Sequence, residues 1–183
     1  MKWLIASDIH GSASCCRRLL ERFEAERADK MLLLGDLLYH GPRNALPEGY
    51  ETMDAAAMLN EYKDRILCVR GNCDAEVDQM VLEFPIMNDS TAIYENGLLI
   101  FATHGHLYDE FRLPPLSGID VLLCGHTHVP ALHDHGSFVY MNPGSVSIPK
   151  GGSSHSYMTL EDGLFTWKTL DGAGYRTFRK EKP

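Results

Sequence analysis

Short apolar runs in this chain stop repeatedly at polar, chemistry-bearing residues. Val121-Leu122-Leu123-Cys124 runs into Gly125-His126-Thr127-His128 and is closed by Pro130. Lys2 to Ser7 stops at Asp8-Ile9-His10-Gly11, Lys30 to Leu34 at Gly35-Asp36, and Ile66 to Val69 at Gly71-Asn72-Cys73-Asp74. Leu98 to Thr103 stops at His104-Gly105-His106. A continuous run such as Met31-Leu32-Leu33-Leu34 suits a strand buried on both faces. If these strands are mainly parallel, chain order brings all five stops to one edge, where open α/β sheets bind ligands.

The first half alternates strands with helices. Ser12 is placed to cap a helix whose Cys16, Leu19, Leu20 and Phe23 recur at i, i+3, i+4, i+7. A second helix is expected from about Thr52 to Lys63, with an alanine-rich packing face. The pattern then changes to consecutive strands. Ser90 to Glu95 and Leu98 to Thr103 flank Asn96-Gly97, which fits a type I′ hairpin turn. Further strands are expected at Ala131 to His135, Phe138 to Met141 and around the Asp162-Gly163 and Asp171-Gly172 turns. That order predicts two sheets packed face to face with helices outside, in one domain spanning 1–183.

Composition narrows the function. The chain of 183 residues is 44% hydrophobic and carries a net charge of -8. It has no basic stripe of the kind that tracks nucleic-acid phosphates, so no stable nucleic-acid binding is expected. The odd set Cys15, Cys16, Cys68, Cys73 and Cys124 contains no CxxC pair and reads as reduced thiols in a cytoplasmic protein. No run approaches the roughly 18 to 20 apolar residues of a membrane span.

Each strand end alone is an ordinary polar turn. Together Asp8, His10, Asp36, Asn72, His104, His126 and His128 are oxygen and nitrogen donors suited to divalent first-row metals. Seven ligands exceed what one ion takes. A pair of ions about 3.5 to 4 Å apart, sharing one carboxylate, accommodates them. No P-loop, nucleophile elbow or CxxxxxR motif supports covalent phosphate chemistry.

The ordered set Asp8-Ile9-His10, Gly35-Asp36, Gly71-Asn72-Cys73-Asp74, His104-Gly105 and Gly125-His126-Thr127-His128 resembles the signature of the calcineurin-like metallophosphoesterases. His40 to Pro47, Asn142-Pro143-Gly144-Ser145 and Ser147 to Gly152 are similar to a bacterial phosphodiesterase subgroup of that family. The resemblance implies the metallo-dependent phosphatase fold, an α/β four-layer sandwich of two mixed β-sheets flanked by helices. It also implies two divalent ions, usually Mn2+ in small bacterial members. Matched position by position, Asp8, His10 and His128 hold one ion, Asn72, His104 and His126 the other, and Asp36 bridges. A hydroxide bridging the ions would then attack a phosphodiester, with Asp36, Asn72, Cys73, Asp74 and His104 as the catalytic group.

Cys73 departs from the family, where many members have a histidine that protonates the leaving group. The thiol leaves that step to His106, His40 or Arg70, or to substrates whose leaving groups need little help. Arg43, Asn44 and His106 are candidate substrate contacts, with Lys150 a further cation. His133, His135 and His155 read as ordinary surface residues. The expected substrate is a small phosphodiester. A phosphomonoesterase or nucleotidase with the same centre stays open, as does a protein-interaction scaffold of this fold, as in eukaryotic retromer. Pairing of subunits through Leu107-Tyr108 or Phe111 to Leu116 also stays open.

Overall fold

A computed structural model describes residues 1–180. Strand β1 (Lys2–Ala6) lies parallel to β2 (Lys30–Leu33), with Leu4 opposite Met31 and Ala6 opposite Leu33. Parallel neighbours need a crossover, and helix α1 (Ala13–Ala25) provides it. Ser12 caps α1 as expected, its Oγ accepting the Cys15 N–H at 3.2 Å, and the Cys16, Leu19, Leu20, Phe23 stripe is buried. Helix α2 (Thr52–Asn60) leads to β3 (Ile66–Cys68), which extends the parallel set beside β2.

Strands β4 (Ser90–Glu95) and β5 (Leu98–Thr103) form the hairpin, and Asn96 and Gly97 turn it with φ of 50° and 78°. Then come β6 (Val121–Leu123), β7 (Ala131–Asp134), β8 (Val139–Asn142), β9 (Ser156–Glu161), β10 (Leu164–Thr169) and β11 (Gly174–Arg179). One sheet has the order β11-β10-β9-β1-β2-β3 and the other β4-β5-β6-β8-β7. Both are mixed. In the first, β1, β2 and β3 are parallel, and in the second β5, β6 and β8 are.

Why β1 and β2 are apolar at every position after their first lysines follows from the layers. Trp3, Ile5, Leu32 and Leu34 face the second sheet and pack with Ile100, Leu123, Val139, Met141 and Trp167. Leu4, Ala6, Met31 and Leu33 face the other way, into α1 and α2. A strand alternates sides at each residue, so two buried faces demand an unbroken apolar run. The outer face of the second sheet carries Phe101, Leu122, Cys124, Phe138 and Tyr140. Tyr108 and Ile119, from the irregular segment 105–120, cover it.

Helix α2 stops at Asn60, three residues before the expected Lys63. There the Asn60 amide donates to Val81 O and its Oδ1 accepts the Glu83 N–H, while Tyr62 N–H bonds to Leu59 O. These contacts tighten the chain into the single 3-10 turn Lys63–Arg65. A short helix, α3 (Glu76–Gln79), was not anticipated; the Asp78 carboxylate accepts the Ala75 N–H at its start. Among the described residues no helix is long and apolar enough to cross a membrane.

Candidate metal centre

The two parallel sets end at one rim, and the chain leaves β1, β2 and β6 through contorted turns. Asp8, His10, Asp36, His126 and His128 all have φ between 48° and 65°. Elsewhere among the described non-glycine residues only Arg27, Asn96 and Asp162 are left-handed. Such backbone costs of order 1–3 kcal/mol per residue and persists only where the surroundings enforce it. The enforcement is visible at Asp8, whose carbonyl accepts hydrogen bonds from Ser145 Oγ at 2.8 Å and Ser147 Oγ at 3.1 Å. Asn142 braces the 125–128 turn, its amide donating to Gly125 O at 2.6 Å and Thr127 Oγ1 at 3.1 Å.

Three imidazoles share one orientation. His10 Nδ1 donates to Tyr39 O at 2.7 Å, His104 Nδ1 to Leu34 O at 2.6 Å and His128 Nδ1 to Ile148 O at 2.6 Å. A carbonyl can only accept, so Nδ1 carries a proton, and when the ring is neutral its Nε2 lone pair is presented to the centre. His10 Nε2 and His128 Nε2 then face each other at 3.2 Å. Asp8 Oδ1 lies 3.3 Å from the latter and 3.6 Å from the former, buried and without a hydrogen-bond donor in suitable geometry. Two ring nitrogens and a carboxylate oxygen without a hydrogen-bond partner converge in a buried space that suits a cation.

A second convergence adjoins it. Asp36 Oδ2 is 3.6 Å from His10 Nε2 and 3.4 Å from His104 Nε2, while its Oδ1 accepts the Cys73 N–H at 2.8 Å. Asn72 Oδ1 is 3.1 Å from His104 Nε2. Donor atoms within 4.8 Å of one another occur in the sets Asp8, His10, His128 and Asp8, Asp36, His104, and also His10, Asp36, Cys73. The last set brings the Cys73 thiol to the centre. His126 stands beside these sets without joining them, its ring centroid 5.1 Å from that of His104.

The same groups shift one another's proton affinities. Burial alone would raise the Asp8 carboxyl, but His10 and His128 outweigh it and hold the group well below the usual carboxylate range. Burial also opposes charge on His104, yet Asp36 and Asp8 push it up to about 9. Burial, with Asp36 beside it, pushes the Cys73 thiol up to about 12.

The remaining expected residues divide. Arg43, Asn44, Thr127 and Lys150 line a cleft of about 480 Å³ whose walls also include Asp36, Asn72, Cys73, His126 and His128. Asp74 is 4% exposed and does not line that cleft. Its carboxylate accepts the N–H groups of Asp36 at 2.9 Å, Leu37 at 2.8 Å and Gly71 at 2.7 Å, tying the ends of β2 and β3 together. His106 has its ring 5.4 Å from His104 and lies outside the cleft, as does His40, which faces Tyr50. Arg70 lies 4.0 Å from Asp89 and likewise outside it. His155, expected at the surface, is half-buried with Nδ1 on Val146 O, while His133 and His135 both grip Glu110. Asn142, Ser145 and Ser147 had no assigned part in the sequence reading; their signal was three polar side chains in a stretch the fold buries.

A cation-demanding rim between two mixed sheets matches a known family. The model of the calcineurin-like phosphoesterase superfamily domain matches residues 1–162, and the chain belongs to that superfamily. It is 49% identical over 170 residues to Phosphodiesterase YfcE of Escherichia coli (strain K12), covering 91% of this chain and 90% of that one. A solved structure of Yfce, a phosphoesterase from E. coli, superposes with a TM-score of 0.94 at 45% identity, covering 98% of this chain and 99% of the other. Vps29 from Entamoeba histolytica, solved in complex with Zn2+, superposes with a TM-score of 0.65 at 25% identity, covering 98% of each chain.

Proposed function

We propose that the chain is a metal-dependent phosphodiesterase acting on a small phosphodiester through a dinuclear centre. The observation that carries this is the shared Asp36 carboxylate, whose Oδ2 faces His10 on one side and His104 on the other. Asp8, His10 and His128 would hold one ion and Asn72, His104 and His126 the second, with Mn2+ the resident metal. Two such ions supply Lewis acidity at phosphorus and make a water nucleophilic at neutral pH.

The chain's own residues set the geometry. Carbonyl-anchored Nδ1 groups lock the imidazoles, so the centre needs no reorganisation as charge develops. Asn72 is a neutral donor, which leaves its side of the centre more electrophilic. Arg43, Asn44 and Lys150 line the cleft on the solvent side, where they can meet the non-bridging oxygens of the substrate. Cys73 stays a neutral thiol in the metal-free protein and is a weak hydrogen-bond donor. The centre therefore favours leaving groups that depart without strong acid help, which supports diesters over dianionic monoesters.

We read residues 1–183 as one catalytic domain, because β9 returns from late in the chain to pair with β1. The free thiols of Cys15, Cys16, Cys68, Cys73 and Cys124 support a reducing, cytoplasmic setting. The net charge of -8 argues against stable nucleic-acid binding. Metal-stripped protein, assayed on a panel of phosphodiesters and monoesters with each divalent ion restored in turn, tests the reading. Stripped protein is expected to be inert, and Mn2+ to restore diester turnover at least about tenfold above any monoester. A preference for monoesters would move the assignment to a nucleotidase, and inactivity with every ion would favour a scaffold.

A further inference from the structure

A second cavity of about 290 Å³ adjoins the cleft along the His126-Thr127 ridge. Its walls share His126 and Thr127 with the cleft and add His106, Glu110, Tyr140 and Phe111. Phe111 is 87% exposed, so its ring contributes almost nothing to the core that the rest of the segment covers. The segment itself is firmly built. Asp109 Oδ1 accepts the N–H groups of Phe111 and Arg112 at 2.8 and 2.7 Å, and Arg112 Nη2 donates to His106 O at 2.7 Å. Glu110 Oε2 lies 2.8 Å from both His133 Nδ1 and His135 Nε2, which pins the segment to β7. An aromatic side chain is thus held in water, at the rim of a cavity that abuts the metal centre.

A phosphodiester has two organic arms on one phosphorus, whereas a monoester has one. A phosphoryl group over the ridge can send one arm into the cleft, and the only other concavity sharing that ridge among those described is the Phe111 cavity. From this continuity we infer that the Phe111 cavity is the subsite for the second arm, and that the arm it takes is a planar aromatic or heteroaromatic ring. Phe111 supplies a face for stacking and Tyr140 contributes to the wall. This rests on the phosphodiesterase reading above and specifies its substrate class as diesters with a planar ring on at least one arm.

The test compares Mn2+-loaded wild type with Phe111→Ala and Phe111→Trp, using bis(4-nitrophenyl) phosphate as substrate and inorganic phosphate as competitive inhibitor. Phosphate reaches only the centre, and the diaryl ester must place a ring on each side. Phe111→Ala is expected to raise KM for the diaryl ester about 3- to 10-fold, the scale of one lost aromatic contact. The phosphate Ki stays unchanged, and Phe111→Trp restores the wild-type KM. In Phe111→Trp, the new indole also reports binding directly: diphenyl phosphate should change its fluorescence saturably. An unchanged KM in Phe111→Ala, a parallel rise in the phosphate Ki, or a silent indole would overturn the inference. So would a fall in molar mass by light scattering, which would make Phe111 a contact for a second copy. If wild type turns over no diester with any ion, the reading of the centre fails first and the subsite falls with it.

Discussion

Asp36→Ala is expected to lower kcat/KM toward a phosphodiester by on the order of 10³-fold, the loss that follows removal of a group stabilising transition-state charge. Among the described residues its Oδ2 is the one carboxylate oxygen within 4.0 Å of both His10 Nε2 and His104 Nε2, so no neighbour replaces it directly. The fold should survive, because the loss leaves one half-buried N–H, that of Cys73, without its partner. Asp36→Asn sharpens the comparison. It keeps an oxygen to accept the Cys73 N–H but removes the anion that would offset repulsion between the two proposed cations, so it should be nearly as inactive. Steady-state kinetics beside far-ultraviolet circular dichroism reads both variants. Activity within tenfold of wild type in Asp36→Asn would mean that the carboxylate does not bridge.

Gly71→Ala should be nearly as damaging, for a steric reason. A methyl group there would stand 2.0 Å from Asp36 Oδ1 and 2.3 Å from Asp36 N. The Asp36 backbone cannot retreat easily, since Asp74 Oδ2 holds the N–H groups of Asp36 and Gly71 together. Overpacking of this kind costs about 1–3 kcal/mol. That corresponds to a Tm lower by roughly 3 to 10 °C in a chain of this size. The displaced carboxylate should also weaken metal binding, measured by competition with a chromogenic chelator, by about 10- to 100-fold. Wild-type Tm together with wild-type metal affinity would show that β2 and β3 can separate at their ends without disturbing the centre.

The parts of this molecule legible in the sequence are those written locally. Unbroken apolar runs such as Met31 to Leu34 announce strands buried on both faces, and the abrupt stops at Asp8, Asp36, Asn72, His104 and His126 mark one rim of two mixed sheets. Asn96-Gly97 specifies its hairpin through its own backbone preferences. What was illegible depends on partners distant in sequence. Asp74 sits two residues from Asn72 and was expected in the catalytic group, but three backbone N–H groups, two of them from Asp36 and Leu37, occupy its carboxylate. Ser145 and Ser147 acquire their part only when β8 brings them beneath Asp8. The end of α2 is set by Val81 and Glu83, more than twenty residues downstream of Asn60. The left-handed backbone at Asp8, His10, Asp36, His126 and His128 is likewise imposed from outside, since local preference opposes it.

Metal content settles the central claim most directly. Protein stripped with chelator, reloaded with excess Mn2+, passed through a desalting column and measured by inductively coupled plasma mass spectrometry should carry two ions per chain. Asp36→Asn should fall to one or fewer. A wild-type chain that holds a single ion or none, while remaining folded, would contradict a centre built around a shared carboxylate.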